Sequence, residues 1–263
     1  MTGAPLEPPG SPVVPGESFT ALLRAQGLEP RWSLPADGSL PDAPEGTTVL
    51  AFRYADGVLM AGDRRATAGN VIAYRTMQKV FPADAYSAVG ISGTAGVGVE
   101  LIRLFQTELE HYEKLEGSRL SLEGKANHLA AMVRAHLPMA FQGLAVVPLF
   151  CGFDELTRQG RLYSFDVVGG RYEETDYAAT GSGGRDAKAY LRSAFREGLS
   201  EAEALQVALE ALVAAAEEDS ATGGPDLQRG IYPNVAVVSP AGYRELPEEQ
   251  VAEAARRAMG AAR

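Results

Sequence analysis

Glu45-Gly46-Thr47-Thr48-Val49-Leu50 is the stretch on which the reading of this chain turns. Upstream of it, residues 1–46 hold nine of the sixteen prolines, and Pro, Gly, Ser and acidic side chains dominate. Such a segment buries too little apolar surface to offset chain entropy, so a mostly disordered or extended leader is expected. Its one exception is Ser18-Phe19-Thr20-Ala21-Leu22-Leu23-Arg24, a short helical island with Ser18 as cap and Gly27 as stop. It reads either as a transient helix in a linker or as a docking element used in assembly. Downstream of the junction the texture becomes strand-like. Thr48 to Arg53 alternates, Tyr54-Ala55-Asp56-Gly57 carries a turn signal, and Val58 to Gly62 returns. A hairpin turning near Asp56 sets residues equidistant from the turn face to face, which predicts Thr47 beside Asp63.

Further along, Asp63 to Asn70 reads as a polar loop with a charge cluster, and Lys79 follows on Gln78-Lys79-Val80-Phe81. Ala85 to Ser92 is a predicted strand that runs into Gly93-Thr94-Ala95-Gly96 and then a helix. The apolar stripe of that helix is Leu101, Ile102, Leu104, Phe105, Leu109 and Tyr112. A second helix is predicted from Ser121 to His136. Strands follow at Ala145 to Cys151, Arg161 to Val167 and Arg171 to Ala178. Two more helices come next, the second opened by the capping box Ser200-Glu201-Ala202-Glu203. Asn234 to Ser239 is a last strand and Pro247 to Met259 a tail helix. Strands, two helices, strands, two helices: the order predicts two packed sheets with helices on both outer faces, an α+β chain.

The bulk numbers narrow the function classes. At 263 residues with 46% hydrophobic residues the chain is long enough for a substantial core. A formal net charge of -10 gives no basic footprint for nucleic acid. No run of about 18 apolar residues is present, so no membrane span is expected, and the first residues lack the charged and apolar regions of a secretory signal. The single cysteine, Cys151, excludes an internal disulfide framework and fits a reducing compartment, so a cytoplasmic location is expected. Cys151 lies in an apolar strand and reads as core. His111, His128 and His136 form no ligand pair, and no His-Glu-x-x-His motif occurs, so neither a metal nor another cofactor is expected. Thr180-Gly181-Ser182-Gly183-Gly184 lacks the ending and spacing of a phosphate loop.

Five motifs stand in order: Gly46-Thr47-Thr48, Gly62-Asp63-Arg64-Arg65-Ala66-Thr67, Lys79-Val80-Phe81, Ser92-Gly93-Thr94-Ala95-Gly96 and Gly181-Ser182-Gly183. Together they resemble the β subunit of the proteasome core particle, over Thr47 to about Ser239. The tract Asp219-Ser220-Ala221-Thr222-Gly223-Gly224-Pro225-Asp226-Leu227-Gln228-Arg229-Gly230 looks most like the actinobacterial branch. The resemblance implies a four-layer αββα sandwich of two antiparallel sheets, the N-terminal-nucleophile hydrolase fold, and threonine-type hydrolysis of peptide bonds. Residues 1–46 become a propeptide removed by self-cleavage between Gly46 and Thr47, and residues 47–263 the catalytic domain. A threonine hydroxyl is a weak nucleophile unless a base takes its proton. Cleavage supplies that base, since the freed α-amine of Thr47 has a reference pKa of about 7.7–8.0. In the uncut chain the same nitrogen is an amide and accepts no proton.

The resemblance assigns further roles. Lys79 would lie beside Thr47 as a buried cation, with Asp63 keeping it charged and oriented; without the junction before them, an Asp and a Lys would read as a plain buried ion pair. Gly93, at a strand-to-helix junction, would offer its N–H to an oxyanion. Thr67 would bind the substrate backbone, and Met77, Ile91 and Ala95 would line an apolar pocket, so cleavage after large apolar residues is expected. Ser182 and Asp226 would hydrogen-bond the new amine or the hydroxyl. In many relatives a serine that supports the amine stands three residues after the matching aspartate; here that position is Arg229, a departure from the family's pattern. The implied partners are homo-oligomeric β rings, heptameric and stacked, with rings of α subunits, an ATP-dependent unfoldase and unfolded protein substrates. Two rivals remain: a non-catalytic ring subunit, which would usually lack the glycine, aspartate or lysine, and the two-ring ATPase-linked bacterial threonine protease, whose leader is typically very short.

Overall fold

The computed structural model describes residues 46–69 and 71–261; the helical island at Ser18–Arg24 and the rest of the leader lie outside them. Strand β1 (Thr48–Tyr54) pairs antiparallel with β2 (Gly57–Gly62) across the two-residue turn Ala55-Asp56. Its side chains alternate between two apolar surroundings, as the period of two in a strand requires. Leu50 and Phe52 pack with Leu205, Leu209 and Leu212, whereas Val49 and Ala51 pack with Leu149 and Cys151. Both faces of β1 are therefore buried, and the strand reads as a continuous apolar run for that reason.

The short strands β3 (Ala66–Ala68) and β4 (Val71–Tyr74) form a separate pair. Next come β5 (Val80–Asp84) and β6 (Ser87–Gly93), then helices α1 (Ala95–Glu116), α2 (Leu122–Ala135) and the single turn α3 (Leu137–Ala140). Strands β7 (Val146–Asp154), β8 (Gln159–Phe165), β9 (Arg171–Glu174) and β10 (Tyr177–Gly181) lead to α4 (Gly184–Ala194) and α5 (Glu201–Glu218). The chain closes with β11 (Asn234–Ser239), β12 (Gly242–Glu245) and α6 (Glu248–Ala261). One sheet has the order β10-β1-β2-β11-β12 and the other β5-β6-β7-β8-β9. A core between the sheets holds Val49, Met60, Leu149 and Cys151. Outer cores join each sheet to its helices, through Phe105, Leu129 and Phe150 on one side and Leu50, Leu205 and Leu212 on the other. These are the four layers αββα.

Five expectations change in detail. The hairpin register is Val49 with Gly62 and Tyr54 with Gly57, so Asp63 stands opposite Thr48, one residue later than predicted, because the turn comprises Ala55 and Asp56 instead of centring on Asp56. The predicted strand Arg171 to Ala178 is two strands in different sheets: β9 pairs with β8, and after a bend at Thr175-Asp176 β10 pairs with β1. The segment read as a polar loop contains β3, and the chain after Ser239 turns into the unpredicted β12. In α1, Leu104 and Tyr112 are exposed, outside the stripe that covers the sheet. The Ser200–Glu203 capping box forms as expected, each side chain reaching the other's backbone N–H.

Candidate active site

Asp63, directly after β2, is fully buried and takes four donors, two on each oxygen. Oδ1 accepts the Lys79 ammonium at 2.6 Å and the Thr48 N–H at 2.8 Å. Oδ2 accepts the N–H groups of Arg65 and Gly223, both at 2.9 Å. Lys79, just ahead of β5, is 1% exposed. Its ammonium donates to Asp63, to the Arg65 carbonyl and, at 3.2 Å, to the Gly46 carbonyl. Burial holds the Lys79 pKa below its ordinary value, opposed first by the Asp63 charge and hydrogen bond and more weakly by Asp219. The strand order explains how residues sixteen apart in sequence meet: β2 and β5 lie in different sheets, and the two ions close the gap at their ends.

Gly46 and Thr47 lie on this pair. Gly46 has φ +101°, a conformation that strains any residue with a Cβ, and a Cβ there would lie 2.4 Å from Thr67 Oγ1 and 2.8 Å from Ala221 Cβ. Thr47, 5% exposed, donates its hydroxyl to the Gly46 carbonyl at 2.7 Å. That carbonyl therefore accepts both the Thr47 hydroxyl and the Lys79 ammonium. The Thr47 carbonyl accepts the Ser182 N–H at 3.0 Å, which anchors the junction to the end of β10. Thr67 on β3 is buried against Gly46, next to the bond expected to break.

A second arm joins the expected Ser182 to three residues to which the sequence assigned no role, Thr48, Thr222 and Asp219. Thr48 Oγ1 is 2.6 Å from Thr222 Oγ1, Thr222 donates to Asp219 at 2.6 Å, and Ser182 donates to the same Asp219 oxygen at 2.6 Å. The Asp219 carboxyl is held below its usual range: desolvation pushes it up, but the Ser182 and Thr222 hydrogen bonds outweigh that. Asp226, expected at the amine, is placed elsewhere. Its carboxylate is bound by Arg229 at 2.7 Å and by the N–H groups of Gln228 and Arg229, all within its own surface loop. The aspartate beside Ser182 is Asp219, and the residue three positions after it is Thr222, a hydroxyl. The Asp-x-x-hydroxyl spacing stands in the sequence at Asp219-Ser220-Ala221-Thr222, seven residues before Asp226-Leu227-Gln228-Arg229.

Gly93 ends β6 with φ +93°, and a Cβ would lie 2.2 Å from the Ala145 carbonyl, so only glycine fits. Thr94, the N-cap of α1, is buried with its hydroxyl unpaired. Of the three residues expected to line a pocket, Ile91 is buried with α1, near Gly98, while Ala95 and Met77 are half-buried. Cys151 is fully buried in the core between the sheets, and burial pushes its thiol far above the usual value, as suits an inert side chain. Among the described residues no cluster of three His, Cys, Asp or Glu is arranged to hold a metal ion, and no helix is long and apolar enough to cross a membrane.

Two antiparallel sheets between helical layers, with a threonine at the head of β1, define the class: an N-terminal-nucleophile hydrolase fold. The chain belongs to the proteasome subunit family, whose model, described as "Proteasome subunit", matches residues 43–226. Among similar proteins, one named "Proteasome subunit beta" from Acidimicrobium ferrooxidans is 55% identical over 244 residues, covering 92% of this chain and 88% of the relative. A protein of the same name from Acidothermus cellulolyticus is 56% identical over 237 residues, covering 89% of this chain and 82% of the relative. Another, from Streptomyces griseus, is 53% identical over 255 residues, covering 94% and 90%.

Proposed function

We propose that the chain is a catalytic proteasome β subunit: a threonine endopeptidase that cuts its own Gly46–Thr47 bond and then hydrolyses peptide bonds of unfolded proteins. The single observation that carries this reading is the Gly46 carbonyl, which accepts the Thr47 hydroxyl at 2.7 Å and the Lys79 ammonium at 3.2 Å. The Lys79 ammonium polarises the carbonyl toward attack, and the hydroxyl contact holds the Thr47 oxygen beside it. The Thr47 oxygen adds to the Gly46 carbonyl carbon, and its proton passes to the Thr47 nitrogen as the C–N bond breaks. Water then hydrolyses the resulting ester, leaving a Gly46 carboxylate and a free Thr47 amine. In the mature enzyme that amine is the base for the same hydroxyl, and Lys79, held by Asp63, supplies positive charge to the attacking oxygen. The Asp219, Thr222 and Ser182 arm supports the new N-terminus, and the Gly93 N–H receives the oxyanion of the substrate. Residues 1–46 act as the propeptide, and Met77, Ile91 and Ala95 favour large apolar residues before the cut.

Assembly into rings with α subunits follows from the family, and heptameric stacking with an ATP-dependent unfoldase is the arrangement we infer. The β3–β4 pair supports it: Val71 and Tyr74 on this two-stranded hairpin are largely exposed, and a hairpin of that size gains stability from a neighbour. The test is the intact mass of the assembled protein. A chain beginning at Thr47 is expected, and Thr47→Ala is expected to retain its leader and to lose peptide cleavage. A full-length chain in active particles would overturn the proposal; a Thr47→Ala chain that still starts at residue 47 would mean another protease makes the cut.

A further inference from the structure

The side chain directly after the nucleophile has no part in the mechanism above, yet its hydroxyl is hydrogen-bonded on two sides. Thr48 is fully buried. Its Oγ1 accepts the Gly183 N–H at 3.0 Å and lies 2.6 Å from Thr222 Oγ1. The direction of that second bond follows from what lies beyond it. An ionised carboxylate only accepts, so at 2.6 Å Thr222 gives its single hydroxyl proton to Asp219. With that proton committed, the proton between the two threonines must come from Thr48. Ser182 gives its proton to Asp219 as well. Every hydroxyl in the chain then has one direction: Gly183 N–H to Thr48, Thr48 to Thr222, Thr222 to Asp219, with Ser182 entering from the other side.

The chain of bonds closes into a ring through the backbone of Thr47, because Ser182 also donates its N–H to the carbonyl of Thr47. Gly183 leaves room for the ring: a Cβ there would fall 2.5 Å from Thr222 Oγ1 and 2.6 Å from Thr48 Oγ1. The ring reaches the reacting groups electrostatically, since the Asp219 charge is one of those that act on Lys79. We propose that Thr48 is a positioning residue, whose hydroxyl sets the direction of this relay and so holds the Asp219 carboxylate and Ser182 in register with Thr47. The inference rests on the reading of Thr47 as nucleophile. With valine at 48 the shape is kept, but the buried Gly183 N–H loses its acceptor, which costs more than the bond itself contributed. The neighbouring oxygen it can turn to is that of Thr222, so the turn bearing Ser182 and the loop bearing Asp219 lose their common reference.

The experiment compares Thr48→Val, Thr48→Ser, Thr222→Val and the Thr48→Val/Thr222→Val pair in assembled particles whose processing is checked by intact mass. The readouts are kcat and KM on a fluorogenic peptide. Thr48→Val is expected to lower kcat about tenfold, the worth of roughly one buried hydrogen bond, with KM within about twofold. Thr48→Ser, which keeps the hydroxyl, is expected to restore kcat. In the Thr222→Val background the relay is already broken, so Thr48→Val is expected to cost less than about twofold more. Should Thr48→Val not assemble, Thr48→Cys, of similar size but a weak donor, is measured in its place. A Thr48→Val kcat within twofold of the parent overturns the proposal. So does a Thr48→Ser enzyme as slow as Thr48→Val, or a double variant whose loss is the full product of the two. An active Thr47→Ala particle would instead sink the reading of the nucleophile, whereas an inactive one beside a full-rate Thr48→Val sinks the relay alone.

Discussion

Replacing Asp63 by asparagine is the most informative single perturbation of this site. The carboxylate takes four donors, two per oxygen. An asparagine has one oxygen, so whichever way its amide turns, two donors face an NH2 group, and one choice turns it toward Lys79. Both partners are buried, with Lys79 1% and Asp63 0% exposed. Removing one member of such a pair costs about 3–5 kcal/mol, because the remaining charge is left in a low-dielectric site. That is a large part of the roughly 5–15 kcal/mol by which domains are stable. Measured in the Thr47→Ala background, so that both chains keep the leader, Asp63→Asn is expected to lower the urea midpoint by about 1 M or more. The loss depends on pH in a defined direction. Burial already lowers the Lys79 pKa, and Asp63 is the main influence raising it. Without Asp63 the pKa falls further, and the folded chain carries the cost of the unpaired ammonium below that depressed value. As pH rises toward the ordinary lysine value of 10.5, both states lose the proton and the deficit relative to the parent shrinks. Asp63→Asn/Lys79→Met, which removes both charges, is expected to recover most of the stability, and this second variant remains readable if the first does not fold. A midpoint unchanged by Asp63→Asn, or a double variant less stable than the single, would refute the reasoning.

Gly46→Ala tests the backbone of the junction: with φ at +101° and only 2.4 Å between the new Cβ and Thr67 Oγ1, self-cleavage followed by mass spectrometry is expected to slow by tenfold or more. Processing at the parent rate would show that the turn is not used. Asp219→Asn tests the acid limb of stability. The folded carboxyl lies below its ordinary value of 3.8, so its contribution is fully present above that pH and is lost as pH falls through the folded value. Acid unfolding of the variant is expected to begin from a lower plateau and to fall less steeply; an acid transition that matches the parent's would remove Asp219 from the hydrogen-bonded arm.

The order of strands and helices, the first hairpin and the candidates Thr47, Asp63 and Lys79 were legible in the amino-acid sequence, because each depends on local patterning or on a motif of a few residues. An apolar run interrupted by Asp-Gly carries its turn signal within a few residues, and Gly46 before Thr47 marks a position that tolerates an unusual backbone. The tertiary structure decided what lies across the sheets. A one-residue change of turn moved Asp63 from Thr47 to Thr48, since strand register depends on turn length and not on composition. The strand predicted from Arg171 to Ala178 broke at Thr175-Asp176 because its two halves pair with different sheets, which no local period records. The choice between Asp219 and Asp226 was decided in the same way. Both stand in one polar tract, but α5 ends at Glu218 and delivers Asp219 to the hydroxyls of Thr222 and Ser182, while Asp226 falls in a loop where Arg229 neutralises it. Which of two aspartates meets a buried hydroxyl is set by where the helix stops, and the helix stops where packing against the sheet allows.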